Sequence, residues 1–517
     1  MAFIDFNAAA VSLDWPSFDH VIVGAGAAGI LLALKLADGG ARVLLVESGG
    51  LGADPTRDAL STIEETGKRF TDPISTRRRQ VGGTTTAWGG QSLAFSPIDF
   101  KARDWVAGSG WPIHYSEVAA FYAEANAFMA VDGLNFDSDI RRVTRTPDCF
   151  ADSPAIKAEF SKISPRKDFY RARRAELAAK VTLLYNAHVT RIDLDEAGRA
   201  AAIEIAAFAG PRVVAPVRSL ILAVGGLETN RMLLANRHQQ AAGLGNASGR
   251  LGRGFMEHPC LPVGEIETHD AWRLQSMLAV RYARGGKYGP KLSASEAWQR
   301  EHRLLNASAA LLFIYGAQAF DPYAELRSLR NQLGFKTIDR LGPLAAAAAL
   351  GLWSLARHGF LYKRGATAQV GVALEQAPDE ASRITLGATV DRFGSPLARV
   401  NWVIGDMTWA TLLAFCGEIG AALETAKLGR LMLYPHVTAA NANWRDSLTD
   451  VAHHMGGACM SATPQTGVVG PDLAVWGVPN LHVCSAAVFP TGSHSNPTLT
   501  VLALACRLAR RLTQAAR

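Results

Sequence analysis

Residues 20–29, which read HVIVGAGAAG, decide the fold class of this chain. The β-branched residues at the start of the stretch predict a short buried strand, and Ala27–Ala37 has the composition of a helix. Gly24 permits a tight turn between the two, Gly26 lets the backbone approach a pyrophosphate, and Gly29 lets the helix pack on the strand. The stretch therefore predicts the first strand, turn and helix of a dinucleotide-binding unit.

An acidic residue follows the second predicted strand at the distance that such a unit requires. Glu47, with Ser48 beside it, lies 23 residues after Gly24. A carboxylate in this place can accept hydrogen bonds from both hydroxyls of a ribose, and it would repel the 2′-phosphate of NADP. The free N–H groups at the start of the helix favour phosphate groups. These residues predict a dinucleotide site but leave FAD and NAD as alternatives.

Further buried runs extend the unit into a parallel sheet drawn from distant parts of the chain. Strands are predicted over His20–Val23, Arg42–Val46, Ser219–Val224 and Leu481–Cys484, and helices over Ala27–Ala37, Glu228–Asn236 and Pro497–Leu512. Long segments of mixed character separate them, so we predict an α/β chain with a nucleotide-binding domain built from discontinuous segments. The predicted boundaries are 1–109, 170–259 and 450–517 for this domain, and 110–169 and 260–449 for an inserted second domain.

Composition and net charge indicate a globular protein and argue against some classes of function. The 517 residues are 49% hydrophobic and 19% charged, which is typical of a globular protein with a large core. The net charge of +7 is spread along the chain without a concentrated basic face, so we predict no nucleic-acid partner. Residues 1–16 carry no basic cluster before an apolar stretch and do not predict a signal peptide.

The cysteines are few and widely spaced. No Cys-x-x-Cys pair occurs, so we expect no structural zinc and predict no metal site. So few cysteines in so long a chain suit reduced thiols and, with no signal peptide expected, predict a cytoplasmic location. They are Cys149, Cys260, Cys416, Cys459, Cys484 and Cys506.

A second glycine-rich loop, VGGTTTAWGG, occupies residues 81–90. Its four glycines and three hydroxyl side chains expose much of the backbone, so the loop could wrap a flat ligand or phosphate groups. Taken alone, the pattern would also fit a plain flexible loop.

Two polar segments near the end of the chain carry the candidate catalytic groups. The first is HHMGG at 453–457, and the second is FPTGSHSNPTLT at 489–500. A histidine pair alone is often structural or half of a metal site, but no third ligand has a matching spacing. The second segment precedes the last predicted helix of the nucleotide-binding domain. Its polar groups and the histidines could therefore converge on a bound cofactor.

Taken together, these segments resemble the glucose–methanol–choline (GMC) oxidoreductase family, and the match runs nearly from end to end. The resemblance implies FAD rather than NAD. It also implies a Rossmann-like FAD-binding domain and an inserted substrate-binding domain that contains an antiparallel sheet and helices. The further stretches that carry the match are Gly110–Pro112 (GWP), Ala187–Ile192 (AHVTRI), Ala223–Leu234 (AVGGLETNRMLL), Gly252–Pro259 (GRGFMEHP) and Glu375–Pro378 (EQAP).

The resemblance also assigns the candidate site residues. His453 matches the catalytic histidine of the family, with His454 as the rival assignment, and Asn496 matches the second catalytic position. Val189 matches the backbone that meets adenine, and His454 and His494 are candidates for substrate contacts. The residues expected around FAD are Gly24, Gly26, Ala27, Ala28, Gly29, Glu47, Ser48, Gly82, Gly83, Thr84, Thr85, Trp88, Gly89, Gly90, Val189, Ala223, Gly225, Ala486, Asn496, Pro497 and Thr498.

Two positions depart from the pattern of the family. Some sugar oxidases of the family attach FAD through a histidine in the second glycine loop, but Ala87 stands there in this chain. We therefore expect non-covalent FAD. Cys459 occupies a position where related bacterial chains usually have arginine, which puts the local loop or a substrate contact in doubt.

The implied activity is the oxidation of an alcohol by proton abstraction and hydride transfer to flavin N5. His453 would be the general base, and the amide of Asn496 would hold the substrate oxygen. The NPTLT setting of Asn496 is similar to the sugar-oxidising branch, so a hydroxyl of a sugar or glycoside would become a ketone or aldehyde. The electron acceptor stays open among oxygen, a quinone and a redox protein.

Three other functions fit the same fold. An apolar alcohol or sterol could be oxidised at a membrane, with the apolar segment Leu341–Ala356 as the docking surface, although a buried or lid helix explains that segment more simply. A flavin-containing lyase would need no net redox change. An inactive relative would act only as a partner protein, but the presence of both His453 and Asn496 argues against it. The surrounding insert, residues 320–365, is expected to shape the entrance.

Overall fold

The structure is a computed structural model that describes residues 3–8, 13–315 and 341–515. Its strands, in chain order, are β1 (Phe3–Asp5), β2 (His20–Val23), β3 (Val43–Val46), β4 (Ile63–Glu65), β5 (Gln91–Ser92), β6 (Ile156–Ile163), β7 (Thr182–Tyr185), β8 (Ala187–Leu194), β9 (Ala200–Ala207), β10 (Arg212–Pro216), β11 (Leu220–Leu222), β12 (Arg253–Met256), β13 (Cys260–Glu267), β14 (Arg281–Ala283), β15 (Gly286–Ala294), β16 (Ala307–Ile314), β17 (Thr367–Leu374), β18 (Arg383–Val390), β19 (Pro396–Asn401), β20 (Arg430–Leu433), β21 (Met455–Gly457), β22 (Ala474–Val475) and β23 (Val478–Val483).

Helices connect and cover these strands. In chain order they are α1 (Ala27–Asp38), α2 (Pro55–Asp58), α3 (Pro97–Phe100), α4 (Tyr115–Ala119), α5 (Tyr122–Phe128), α6 (Ser138–Thr144), α7 (Phe169–Lys180), α8 (Gly226–Ala235), α9 (Ala271–Leu278), α10 (Glu296–His302), α11 (Leu341–His358), α12 (Asp406–Thr425), α13 (Trp444–Ser447) and α14 (Pro497–Ala515). Short 3₁₀ turns include Gly83–Thr86 and Ala486–Val488.

A seven-stranded sheet in the order β1-β7-β3-β2-β11-β23-β22 forms the centre of the nucleotide-binding half. Its neighbours are parallel except β22, which runs antiparallel to β23. Every residue of β2, β3 and β11 is buried, as expected for parallel strands that helices cover on both faces. The predicted α/β class and the Rossmann-like sheet are confirmed.

The predicted elements of this sheet lie close to their observed positions. The strand β2 has the predicted bounds, and β3, β11 and β23 differ from theirs by one to three residues at an end. The helix α1 runs from β2 to β3 and packs against α7 and α14. The hydrophobic pattern of the sequence therefore predicted the positions of these strands of the parallel sheet.

A second large sheet has the order β20-β13-β17-β16-β15-β6-β5, with β14 paired to β15. All of its pairings are antiparallel, so the implied antiparallel sheet is confirmed. The long helix α12 packs across one face, against β6, β16, β17 and β20. Side chains on neighbouring strands of such a sheet meet in rows across the register.

A five-stranded sheet, β21-β12-β18-β19-β4, joins the two halves of the chain at the candidate site. It pairs Arg253 with Gly457 and Met256 with Met455. The residues after β12 therefore lie beside those before β21. A fourth sheet, β10-β9-β8, has three antiparallel strands. Because strands from all parts of the chain mix in these sheets, the domain boundaries given above stay a proposal.

The predicted apolar segment 341–356 lies within helix α11. Leu352 and Trp353 are exposed on it, and the Trp353 ring lies 5.7 Å from that of Trp272. Of the helices in the described ranges, none is long and apolar enough to cross a bilayer. The predicted insert 320–365 falls outside the described residues as far as position 340.

Candidate active site

Neighbouring strands of the parallel sheet end at one edge, and predicted site residues follow each of them. Gly24 follows β2, Glu47 follows β3, and Ala223 follows β11. Ala486 begins the 3₁₀ turn after β23. The carboxyl edge of a parallel sheet is where such folds bind nucleotides, so the topology gathers residues that are far apart in the sequence.

The first glycine turn leaves an open space in front of helix α1. Gly24 has φ +100°, and a Cβ there would lie 2.6 Å from the Ala223 carbonyl oxygen. A Cβ on Gly29 would lie 1.8 Å from the Gly24 oxygen, so the helix packs this closely only with glycine. A Cβ on Gly26 would meet no described atom within 4 Å. Because Gly26 is the N-cap, the first N–H groups of α1 (which begins with Ala27 and Ala28) are free for phosphate.

Glu47 is held beneath this turn by the backbone. Its Oε2 accepts from Ala25 N at 2.8 Å, and its Oε1 accepts from Gly49 N at 2.8 Å. Ser48 Oγ donates to the same Oε1 at 3.2 Å. Burial raises the pKa of the Glu47 carboxyl, which these hydrogen bonds oppose. Oε1 thus accepts two hydrogen bonds, whereas Oε2 accepts one and keeps a lone pair for the predicted ribose contact.

The second glycine loop packs on the first. Gly82 N donates to Ala25 O at 2.8 Å, and a Cβ on Gly83 would lie 3.0 Å from Gly26 Cα. Thr85 Oγ1 donates to Gly82 O at 2.6 Å, so this hydroxyl shapes the loop. The indole of Trp88 donates to Lys167 O at 2.9 Å. The exposed members of the loop are Thr84, Ala87 and Gly89, and Gly90 is buried at its end.

The remaining predicted cofactor residues lie along the same edge. Val189 is buried in β8, which begins where Ala187 N donates to Glu47 O at 2.9 Å. Gly225 is the N-cap of α8. Pro497 and Thr498 are the first residues of α14. The surface from Val189 through the glycine turns to the start of α14 is suited to a long dinucleotide.

His453 and Asn496 face each other at the end of this surface. Asn496 Nδ2 lies 3.3 Å from His453 Nε2, and both side chains are half-buried. The Asn496 Oδ1 is buried and has no hydrogen-bond partner among the described residues. The five-stranded sheet positions His453 just before β21, and Asn496 directly precedes α14. An imidazole and an amide from segments far apart in the chain thus share one site.

Two further residues of the site, Glu257 and His258, lie in the GRGFMEHP stretch, but sequence reasoning gave them no role. His258 Nδ1 lies 2.8 Å from His453 Nδ1, and His258 Nε2 lies 3.1 Å from Gly492 O. The Glu257 carboxylate accepts the backbone N–H groups of both His258 and His453. The available signal was a Glu-His pair immediately after the buried Phe255 and Met256, which end β12.

Burial sets the protonation of this cluster. It raises the pKa of Glu257 well above its usual value, and it lowers that of His258 to about 4. The pKa of His453 is held well below its usual value by burial, with His258 and the Lys291 ammonium adding to the effect. The three histidines at 258, 453 and 454 are therefore neutral at physiological pH.

The two other predicted histidines have different surroundings. The His454 ring packs between Phe70 and Phe255, with ring centroids 5.5 and 6.3 Å away, and burial lowers its pKa to about 3. His494 Nε2 lies 3.5 Å from Glu159 Oε1, and its Nδ1 has no partner among the described residues. The substrate contacts assigned to both residues stay predictions.

Cys459 lies beside the 3₁₀ turn that contains Ala486. Its Sγ donates to Phe489 O at 3.4 Å, and burial raises the pKa of the thiol to about 11. A neutral thiol bonded to a carbonyl cannot replace the charge of an arginine. The effect of Cys459 on this loop stays a prediction, and the strand β21 before it pairs with β12.

A polar face of the antiparallel sheet lies near the histidine cluster. Lys291 on β15 is paired with Glu159 on β6, and both are buried. Ser293 Oγ donates to Glu159 Oε1 at 2.6 Å, and Lys291 Nζ has a long contact of 3.4 Å to Ser308 Oγ. The Lys291 charge lowers the pKa values of His258, His453 and His494, which shows that these groups share one electrostatic environment. Within the described ranges, no group of His, Cys, Asp and Glu is arranged to hold a metal ion.

Comparisons with known proteins agree with this geometry. A family model described as GMC oxidoreductase matches residues 378–505. The fructose dehydrogenase large subunit of Gluconobacter japonicus is 23% identical in an alignment 580 positions long, which covers 95% of this chain and 97% of that protein. Paromamine 6'-oxidase of Streptomyces fradiae is 23% identical in an alignment 550 positions long, which covers 95% of this chain and 91% of that protein. The crystal structure of pyridoxine 4-oxidase from Mesorbium loti aligns with a TM-score of 0.55 at 16% identity, covering 96% and 99%.

These comparisons and the site geometry point in one direction. The family match spans the segment that carries His453 and Asn496. The structural likeness shows that the fold extends over almost the whole chain. The glycine turns and the free N-terminus of α1 fit the nucleotide part of a flavin cofactor. Residues 378–505 match the GMC oxidoreductase family, and the chain is an FAD-dependent oxidoreductase that acts on alcohol groups.

Proposed function

We propose that this enzyme oxidises a hydroxyl group of a sugar or glycoside to a ketone or aldehyde. His453 is the general base, and Asn496 holds the substrate oxygen. The observation that carries the proposal is the 3.3 Å contact between Asn496 Nδ2 and His453 Nε2. It supports a site in which a proton acceptor and an N–H donor address the same substrate oxygen.

His453 has the protonation state that a base requires. Because burial and the nearby positive charge keep its pKa low, the imidazole is neutral and its free nitrogen can accept the hydroxyl proton. Bound FAD supplies the redox chemistry by accepting the hydride. The proton stays on the histidine while the carbonyl forms.

Asn496 can serve both the histidine and the substrate. Its Nδ2 carries two hydrogens, and one of them points to His453 Nε2. The second is free to donate to the substrate oxygen and to stabilise the negative charge that grows there. Because the unprotonated Nε2 has a single lone pair, the amide must release it when the substrate hydroxyl binds, so that this nitrogen can accept the hydroxyl proton.

The cofactor is proposed to bind without a covalent link. The residues that would hold it are those around Gly24–Gly29 and Glu47, the second glycine loop, and the start of α14 (Pro497 and Thr498). Ala87 is exposed in that loop and has no nucleophilic side chain with which to form a bond to a flavin. Denaturation of the yellow enzyme should therefore release all of its FAD into the supernatant.

The substrate class rests on the relatives and on the polar sheet face. Fructose dehydrogenase and paromamine 6'-oxidase are both named for substrates rich in hydroxyl or amino groups. In this chain, the charge of Lys291 acts on His453, and the polar side chains of Ser308, Glu159 and Ser293 lie on the same sheet as Lys291. A polar environment of this kind suits a ligand with several oxygens better than an apolar alcohol or sterol.

The location and the electron acceptor complete the proposal. We propose a cytoplasmic enzyme, on the basis of its few and free cysteines. Its acceptor is oxygen, a quinone or a redox protein.

A substrate screen tests the proposal directly. The purified enzyme would be offered sugars, glycosides, long-chain alcohols and sterols, with an artificial dye as acceptor and with peroxide detection in parallel. The proposal expects turnover with sugars or glycosides. Turnover confined to apolar alcohols would contradict it, and failure of every alcohol to bleach the flavin without oxygen would indicate a lyase.

A further inference from the structure

We propose that His258 is a positioning residue that fixes the tautomer of His453, so that the Nε2 of His453 is the free, proton-accepting nitrogen. The inference rests on the proposed role of His453 as the base. It adds a chain of two hydrogen bonds, here called the relay, from the Gly492 carbonyl to His258 and from His258 to the ring of His453.

The relay begins at a backbone carbonyl, which can only accept. Gly492 O lies 3.1 Å from His258 Nε2, so this nitrogen carries the proton. A neutral imidazole has one N–H group, and burial keeps His258 neutral. The other nitrogen of His258, Nδ1, is therefore a lone-pair acceptor.

The hydrogen bond between His258 and His453 then fixes which nitrogen of His453 carries the proton. His258 Nδ1 lies 2.8 Å from His453 Nδ1. Since His258 Nδ1 accepts, His453 Nδ1 must donate, and the single proton of the neutral His453 is on this nitrogen. His453 Nε2 is left as a lone pair, and it faces the Nδ2–H group of Asn496 at 3.3 Å. All three contacts agree with a single assignment of protons.

The backbone around both rings is held by one carboxyl group. Glu257 accepts from the N–H groups of His258 and His453, so the two rings cannot drift apart independently. The rings meet edge to face, at 89° with centroids 4.9 Å apart. The charged and titratable groups that act on the two rings come from several elements; they are Lys291, Glu375, His454 and His494, and Asp450 acts on Glu257.

Two replacements of His258 distinguish a hydrogen-bonding role of this residue from a role in packing alone. Glutamine at this position can donate to the Gly492 carbonyl and accept from His453, whereas leucine can do neither. We expect H258L to lower the rate of flavin reduction by substrate about a hundredfold, with little change in KM or FAD content. H258Q should restore most of that rate. H482Q is the matched control, because His482 is also buried and lies on β23, away from the cluster.

The tautomer itself is read by ¹⁵N NMR of the holoenzyme with labelled histidine, using H453Q to assign the signals. The inference expects the wild-type His453 to show a protonated Nδ1 and an unprotonated Nε2, and H258L to lose this pattern. A wild-type His453 protonated at Nε2 would overturn it, even if H258L does not fold. Equal loss of rate in H258L and H258Q would also overturn it. The spectrum needs no substrate, so a failed sugar screen cannot be mistaken for a failed relay.

Discussion

The two parts of the active site are built by different means. At the edge of the parallel sheet, the nucleotide surface is made of backbone groups that approach closely, as at Gly29, and of open space, as at Gly26. At the catalytic end, buried side chains hold one another through hydrogen bonds, as in the pair of His258 and His453. The first part is therefore sensitive to added volume, and the second to a lost donor or acceptor.

Adding one carbon at two neighbouring glycines tests the first part. We expect Gly29→Ala to have the largest effect, because its Cβ would lie 1.8 Å from a backbone oxygen and the helix α1 would have to shift. The strain should cost about 3 kcal/mol and leave little FAD-loaded enzyme. The measurement is the thermal midpoint of the apoprotein together with the flavin content.

Gly26→Ala is the matched control for this change. Its Cβ meets no described atom of the protein, so the apoprotein midpoint should stay unchanged. FAD binding should still weaken by about tenfold, because the Cβ occupies space next to the expected phosphates. Equal destabilisation of both apoproteins would show that open space at Gly26 has no special role.

Removing the amide tests the second part. Asn496→Ala should slow flavin reduction about 10²–10³-fold, since one pre-placed donor to the developing charge is lost. Its neighbour Ser495 donates to the Ala94 carbonyl and is buried, so Ser495→Ala serves as the control and should change the rate little. Stopped-flow absorbance under anaerobic conditions gives both rates. A normal rate in Asn496→Ala would remove this residue from the catalytic pair.

A smaller effect is expected from the polar sheet face. Lys291→Met should raise KM about tenfold through the loss of a charged donor. It should also raise the pKa of His453, because the Lys291 ammonium lowers it. His453 works as a base only when neutral, so the fall in kcat/KM toward acid pH should begin at a higher pH in this variant.

Lys157→Met is the control for the sheet face. Lys157 lies on β6, in the same row of the sheet as Ser293, but its side chain is half-exposed and pairs with Glu159. Its replacement should leave the pH profile of kcat/KM in place. An identical shift in both variants would mean that a general change of charge, and no property of the Lys291 position, sets the pKa of His453.

The sequence alone predicted those parts of the fold whose pattern lies within a short stretch of the chain. The β2–α1–β3 unit was predicted from hydrophobic runs and glycine spacing, because its contacts are made between residues close in the chain. The resemblance to a family then singled out His453 and Asn496, which the structure brings within 3.3 Å.

Other parts of the site could not be predicted in this way. Glu257 and His258 reach His453 only because β12 pairs with β21, across about two hundred residues of chain. Lys291 meets Glu159 only through the register of β15 and β6, and register cannot be assigned from strand patterns that alternate in the same way. Pairing between distant strands therefore sets the environment of the catalytic histidine.

Anaerobic flavin reduction by a sugar or glycoside in His453→Ala tests the central claim most directly. The account predicts an enzyme that stays yellow with bound FAD, yet is reduced about 10²–10⁴-fold more slowly than the wild type. A variant that is reduced at the wild-type rate would contradict it, and the role of base would then pass to His454 or His494.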